Sequence, residues 1–403
     1  MKRAGRDGRW VALAIGLIYA LAWGWSAKSV GRVAAWQRLG VPASRTAFLD
    51  FQVVSSAAET ARSGGDPYRD NPGDPEGRRF NYPKVWLLIT KPWLTAAQVN
   101  ALAVAMAVLA LVALGAACGP LGWREGALLG AMVCSPMIML GVERGNIELL
   151  VFAVLALGID RLARGGPRVA AIGLGAAAVL KLFPICAVVM FARRGRWRIG
   201  AVLLIGFSCY LAAVRENLQA VRANTPASQW FSYGNAVIVS GLTELAAKAG
   251  AAVDWVRLSR VFFLASVALL AFGVRRGWQP APAANGEADE RHELAFIAGA
   301  AIYVATFVVG HAHFAYRLWF VLLCVPYLWR QRSRALLPMA VLLWSSPRWW
   351  QPVWWIAQAA SWVLFYAFVV ALTERLRWRW CSEADAASRR LPCKAAPLFS
   401  GRS

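Results

Sequence analysis

Charge is what this sequence has least of. Only 16% of its 403 residues are Asp, Glu, Lys or Arg, where soluble globular domains carry about a quarter. That deficit excludes an ordinary soluble domain, and a mean hydropathy of +0.47 places the chain in lipid. Acids are the scarcer sign, 21 against 44 Lys and Arg. A basic excess can mark a nucleic-acid binder, but here the Arg residues punctuate apolar runs. They read as topology determinants at an anionic leaflet, and no nucleic acid is expected as a partner. Histidine is scarcer still, with three in the chain. His311 and His313 could be two metal ligands, but no carboxylate or third His accompanies them, and His292 falls on the inner side. No metal is expected. The seven Cys contain no CxxC pair, and five of them lie in apolar runs as small hydrophobes, which excludes a disulfide framework or a zinc site.

Long apolar runs are abundant. Segments such as 10–27, 96–118 and 352–372 are long enough to span a bilayer. The first follows "MKRAGRDGRW" and mimics a signal peptide. Its A-x-A triplet, Ala20–Ala22, lies inside the run rather than after it, which reads as an uncleaved anchor. Hydropathy divides the chain into about twelve candidate membrane helices, with ten to twelve as the range. They are 10–27, 96–118, 126–141, 146–160, 169–181, 184–192, 199–214, 257–274, 293–310, 318–329, 335–346 and 352–372. With the N-terminus inside, 25 of the 44 Lys and Arg fall on inner segments. Ten of the rest lie in the long loop 28–95, which the positive-inside rule weights little. Both termini are therefore expected in the cytoplasm.

The reading is thus an all-α, multi-pass membrane protein formed as one polytopic domain over 1–403. Residues 28–95 and 215–256 make two extracytoplasmic loops, and 373–403 a basic cytoplasmic tail. Some segments are too short to cross alone. Residues 184–192 would cover about 13 Å as an α-helix, yet the basic stretches around 169–192 both want the inside. A hairpin broken at Leu182–Phe183–Pro184 reconciles them, and irregular backbone at that depth implies a cavity. The "GLGAAA" stretch from Gly173 matches a dinucleotide fingerprint, but it sits inside an apolar helix. Small residues there serve close helix packing.

The polar residues that interrupt this pattern share a side. In "TAFLDFQVVSSAAETARSGGDPY", Ala47, Phe51, Val54, Ala58 and Ala61 form one stripe of a short amphipathic helix, expected on the outer membrane surface. Asp50 stands in its first turn, where an acid also complements the helix dipole. Tyr82 and Lys84 precede a re-entry into the membrane, and "LGVERGNIELL" places Glu143, Arg144 and Asn146 between two apolar runs. Lys181 lies at the broken hairpin, an intramembrane cation or one that snorkels to the interface. "VVGHAHFAYRLWF" adds His311, His313, Tyr316 and Arg317 at an outer helix end. One acid among several cations at a membrane surface suits chemistry on a lipid phosphate: a carboxylate to accept a proton, cations to hold a phosphate leaving group.

The order of these motifs resembles the GT-C membrane glycosyltransferases, specifically glycosyltransferase family 87. The stretches that carry it are "DFQVVSSAAETARSGGDPY", "FNYPKVWLLITKPW", "ERGNIELLVFAVLAL", "LKLFPICAVVMFARRGRW", "YGNAVIVSGL" and "HAHFAYRLWFVLL", spanning roughly 46–330. Where many members have Gly-Gln before the Asn of the third stretch, this chain has Arg144–Gly145. The resemblance implies a GT-C-like bundle and a polyprenyl-phosphate-mannose-dependent α-mannosyltransferase of inverting mechanism. Asp50 matches the family's base. Lys181, Arg317 and one or both of His311 and His313 are candidate stabilisers of the leaving phosphate, and Tyr316, Lys84, Tyr82, Asn146 and Arg144 candidate contacts to donor phosphate and sugar. It implies a lipid or glycan acceptor, no nucleotide sugar, no metal and no cofactor. An arabinofuranosyltransferase of the same family, or a transporter or flippase of lipid-linked glycans, remains open. The transporter predicts internal repeats, and the sequence shows none.

Overall fold

A computed structural model describes residues 7–192, 196–226, 230–251, 254–279, 289–309, 313–347 and 352–388. The first elements are α1 (Arg9–Val30), α2 (Arg32–Arg38), α3 (Leu49–Arg62) and α4 (Val85–Thr90). There follow α5 (Val99–Cys118), α6 (Trp123–Val133), α7 (Pro136–Arg144), α8 (Glu148–Ala163) and α9 (Pro167–Leu180). A 3-10 segment, Phe183–Phe191, leads to α10 (Trp197–Ala213), α11 (Arg215–Asn224), α12 (Asn235–Lys248), α13 (Trp255–Trp278) and α14 (Glu290–Val309). A second long 3-10 segment, Ala315–Cys324, then precedes α15 (Val325–Arg330), α16 (Leu336–Trp344) and α17 (Val353–Ser388). The two strands, β1 (Ser232–Tyr233) and β2 (His313–Phe314), pair antiparallel with Tyr233 opposite His313.

The protein is an all-α, multi-pass membrane protein by the length and apolarity of its helices. Among the described residues five helices suffice to cross a bilayer: α1, α5 with its leading turn, α13, α14, and α17 as far as Arg377. Counting each of two bent pairs as one span raises the number to as many as seven. Helices α6 and α7 are bent by 58° and α10 and α11 by 75°. The other apolar segments are short, and their shapes follow from local chemistry. Pro136 is the first residue of α7 and Pro184 the second of the 3-10 segment, each placing a missing N–H where the helix has no partner for it.

The hairpin breaks where the Pro184 argument expects it. Helix α9 ends at Leu180, Lys181 is extended, and the chain continues as a 3-10 helix. The correction concerns pitch. A 3-10 helix rises about 2.0 Å per residue, so nine residues cover about 18 Å rather than the 13 Å of an α-helix. Of two further corrections, one concerns a boundary and one burial. The last helix does not stop at 372 but runs to Ser388, taking in the first half of the expected tail. Helix α3, expected as an amphipathic helix on the outer membrane surface, is packed in protein on its polar side as well as its apolar one over 53–58. Val53, Val54, Ser55, Ser56, Ala57 and Ala58 are all buried, because the following loop folds over the helix and Asn71 Nδ2 donates to Ser56 Oγ at 2.9 Å.

The centre of the bundle is α14, buried along most of its length, with α8 and the two 3-10 segments against it. Helices α1 and α13 expose most of their apolar side chains, including Leu17, Trp25, Leu264 and Phe272. They form the periphery that a bilayer would cover. The small-residue stretch from Gly173 serves packing as read: a Cβ there would stand 3.3 Å from the Val154 carbonyl oxygen and 3.6 Å from Gly158 Cα. So α9 lies close on α8, where dispersion between backbones substitutes for a hydrophobic driving force.

Candidate functional site

The site begins with a turn. Asp74 Oδ1 accepts from the backbone N–H groups of Glu76 at 3.0 Å and Arg78 at 2.9 Å, an Asx-type closure. The turn delivers the Arg78 guanidinium to Asp50. Arg78 Nη1 lies 3.2 Å from Asp50 Oδ1, and its Nε and Nη2 lie 3.1 and 3.0 Å from Asp74 Oδ1 and Oδ2. Burial works to lower the Arg78 pKa, but the hydrogen bond to Asp74 and the charges of Asp50 and Asp74 outweigh it and raise the value. From the other side Asn146 Nδ2 donates to Asp50 Oδ2 at 2.7 Å. Asn146 is fully buried, and its Oδ1 accepts from the Glu148 N–H at 2.9 Å. Both oxygens of Asp50 are therefore fixed, and each retains a lone pair for a further donor.

The approach to Asp50 is tightly built. Phe48, just before α3, takes a left-handed conformation with φ of 52°. It rests on Gly145, itself at φ of 58°, where a Cβ would stand 2.7 Å from Phe48 Cβ. Only glycine tolerates both demands. Beside it the fully buried Glu143 joins three segments. Its Oε1 accepts from the Ser44 N–H at 3.1 Å and from Arg32 Nη1 at 3.3 Å, and Arg144 Nε lies 3.3 Å from Oε2.

A second carboxylate organises the opposite wall. Glu148 Oε1 lies 2.9 Å from Lys181 Nζ and 3.0 Å from Arg317 Nε. Aromatic faces back both cations: Lys181 sits 4.8 Å from the Tyr82 ring and Arg317 5.1 Å from the Phe183 ring, a favourable cation–π arrangement. Tyr82 is held in turn through its carbonyl, which accepts from the Tyr68 hydroxyl at 2.8 Å. Burial pushes the Tyr68 phenol up to about 12, so it stays a donor at neutral pH.

Between these walls lies a cavity of about 810 Å³. Asp50, Tyr82, Arg144, Lys181, Tyr316 and Arg317 line it together, although up to 267 positions separate them in sequence. Asn146 stands behind Asp50. Lys84 does not join them: it is exposed, and its backbone N–H donates to Asn217 Oδ1 at 2.9 Å. His311 and the side chain of His313 lie outside the described residues. Leu218 and Val221 of α11 close another side. That amphipathic helix is fastened by Asn224, whose Nδ2 donates to the carbonyls of Tyr68 at 2.9 Å and Phe80 at 3.0 Å.

The sequence reading passed over Arg78, Asp74 and Glu148. Glu148 carried a usable signal, since an acid opening an apolar run meets the same criterion as Lys181. Arg78 is one of ten Lys and Arg in the loop 28–95, and only the turn closed by Asp74 distinguishes it. No family model, curated protein or solved structure matches the chain.

Proposed function

We propose that the protein is an inverting glycosyltransferase that moves a sugar, mannose in the first instance, from a polyprenyl-phosphate donor to a lipid or glycan acceptor. In this reading the chain is GT-C-like, its shorter segments complete a count of ten to twelve crossings, and the cavity faces the extracytoplasmic side. The observation that carries it is the pairing of a fixed carboxylate, Asp50, with two adjacent cations, Lys181 and Arg317, around one cavity.

The chemistry follows from that arrangement. The acceptor hydroxyl gives its proton to Asp50, and its oxygen attacks the anomeric carbon from the side opposite the phosphate. The bond from anomeric carbon to phosphate oxygen breaks, and its electron pair leaves with the polyprenyl phosphate. Lys181 and Arg317 balance the charge that develops there. A carboxylate serves the same way in inverting glycosidases, with water in place of the sugar hydroxyl. Arg78 and Asn146 hold Asp50 in place, and Tyr82 and Tyr316 offer aromatic and hydroxyl surface to the sugar.

The test is transfer from radiolabelled polyprenyl-phosphate mannose to a membrane-lipid extract by purified protein in nanodiscs, followed by NMR of the product's anomeric centre. Transfer with inversion supports the reading. Transfer with retention rejects the single displacement, and no transfer in nanodiscs together with translocation of intact lipid-linked sugar across proteoliposomes favours the transporter.

A further inference from the structure

Glu148 has no place in the displacement above, yet its position is unusual. It is 1% exposed, and one of its oxygens, Oε1, takes both Lys181 and Arg317. The other, Oε2, is buried and without a hydrogen-bond partner among the described residues. Both cation nitrogens lie within 3.0 Å of the same oxygen, so they are less than about 6 Å apart and one phosphate group could touch both. The neighbouring charges are engaged with one another. Arg78 is taken by Asp50 and Asp74, and Arg144 by Glu143, which also meets Arg32. Arg79 and Glu76, also lining the cavity, are exposed and opposite in sign.

The wall made by Lys181, Arg317 and Glu148 therefore presents two positive charges and one negative. We infer that Glu148 is a specificity-determining counter-ion that matches this wall to a singly charged phosphodiester and against a doubly charged phosphomonoester. The inference rests on the proposed reading, in which a lipid phosphodiester is the donor and a lipid phosphomonoester the product. The diester's single charge completes the wall. The monoester, with a second ionisation near about 6, carries close to two charges above neutral pH and meets only one uncompensated cation. Glu148 thus favours entry of donor and departure of product. It touches neither and acts through Lys181 and Arg317.

The experiment measures binding of farnesyl phosphate, farnesyl methyl phosphate and inorganic phosphate to the full-length protein in detergent at pH 8. Glu148→Gln is expected to shift the ratio of the two lipid affinities about tenfold toward the monoester, since the added positive charge meets two charges instead of one. Glu148→Asp should keep the wild-type ratio even if both affinities fall. Lys181→Gln should shift the ratio the other way, and it serves if Glu148→Gln does not fold. An unchanged ratio in both charge-altering variants overturns the inference while leaving the glycosyltransferase reading in place. Failure of farnesyl methyl phosphate, the singly charged diester, to bind wild type overturns the phosphate site and that reading with it. Inorganic phosphate binding as tightly as farnesyl phosphate would make this a free-phosphate site and overturn the lipid assignment.

Discussion

Asp50 is an acid in the first turn of a helix, and the dipole alone would explain it. Its partners argue for more. Arg78 and Asn146 reach it from segments 28 and 96 positions away, and such convergence aims a carboxylate rather than merely accommodating one. Asn146→Ala should therefore lower kcat about tenfold with KM little changed, by releasing one carboxylate oxygen. Steady-state kinetics on folded variant checks this, and a matching rise in KM would instead give Asn146 a binding role. Glu143 is a different case, a structural acid with a cation on either side. Glu143→Ala leaves Arg32 and Arg144 without it and should destabilise the protein by about 3 kcal/mol, read as a lowered melting temperature in detergent. At this scale the sequence exposed Asp50, Lys181 and Arg317 because charge is rare in apolar surroundings. It concealed Arg78, whose loop is rich in Arg, and His311 and the side chain of His313 lie outside the described residues.

Elements carry these residues through a few constrained points. The Phe48–Gly145 contact joins the start of α3 to the end of α7, so Gly145→Ala pushes on the turn that holds Asp50. The expected cost is about 2 kcal/mol, together with a fall in transfer greater than that of an alanine placed at exposed Gly64. Measuring melting temperature and transfer on both variants separates the two. Helix α11 is tied to the loop by two side chains, Asn217 at Lys84 and Asn224 at Tyr68 and Phe80. Asn224→Ala removes both bonds to the loop behind Tyr68 and Phe80, and hydrogen exchange should speed up in 66–84 while α14 stays protected. Proline and hydropathy made the break before Pro184 legible. The 3-10 pitch was not legible, because the same apolar run suits either helix and only the packing against α14 selects one. The burial of α3 was hidden for a similar reason: Phe51, Val54 and Ala58 of its stripe are buried, but Ala47 precedes the helix, Ala61 is half-buried, and the loop that covers the other side closes through Asn71.

At the scale of the whole molecule, composition and apolar runs sufficed for an all-α membrane protein. They could not give the number of crossings, since α6 with α7 and α10 with α11 are pairs bent by 58° and 75°, each fitting a broken span or a re-entrant loop. The convergence of residues from 50 to 317 on one cavity is a property of the assembled bundle and of no single segment. The charge pattern predicts both termini inside. Reporter fusions at 31 and 224 should therefore show extracytoplasmic activity and a fusion at 165 cytoplasmic activity, and the reverse pattern would put the cavity on the wrong face for the proposed donor.

The most direct test compares wild type with Asp50→Asn for transfer from radiolabelled polyprenyl-phosphate mannose, both proteins in nanodiscs and matched for melting temperature. The account predicts transfer by wild type and a loss of a hundredfold or more, on the order of what a general base contributes, in the variant. Equal transfer by the two would contradict it.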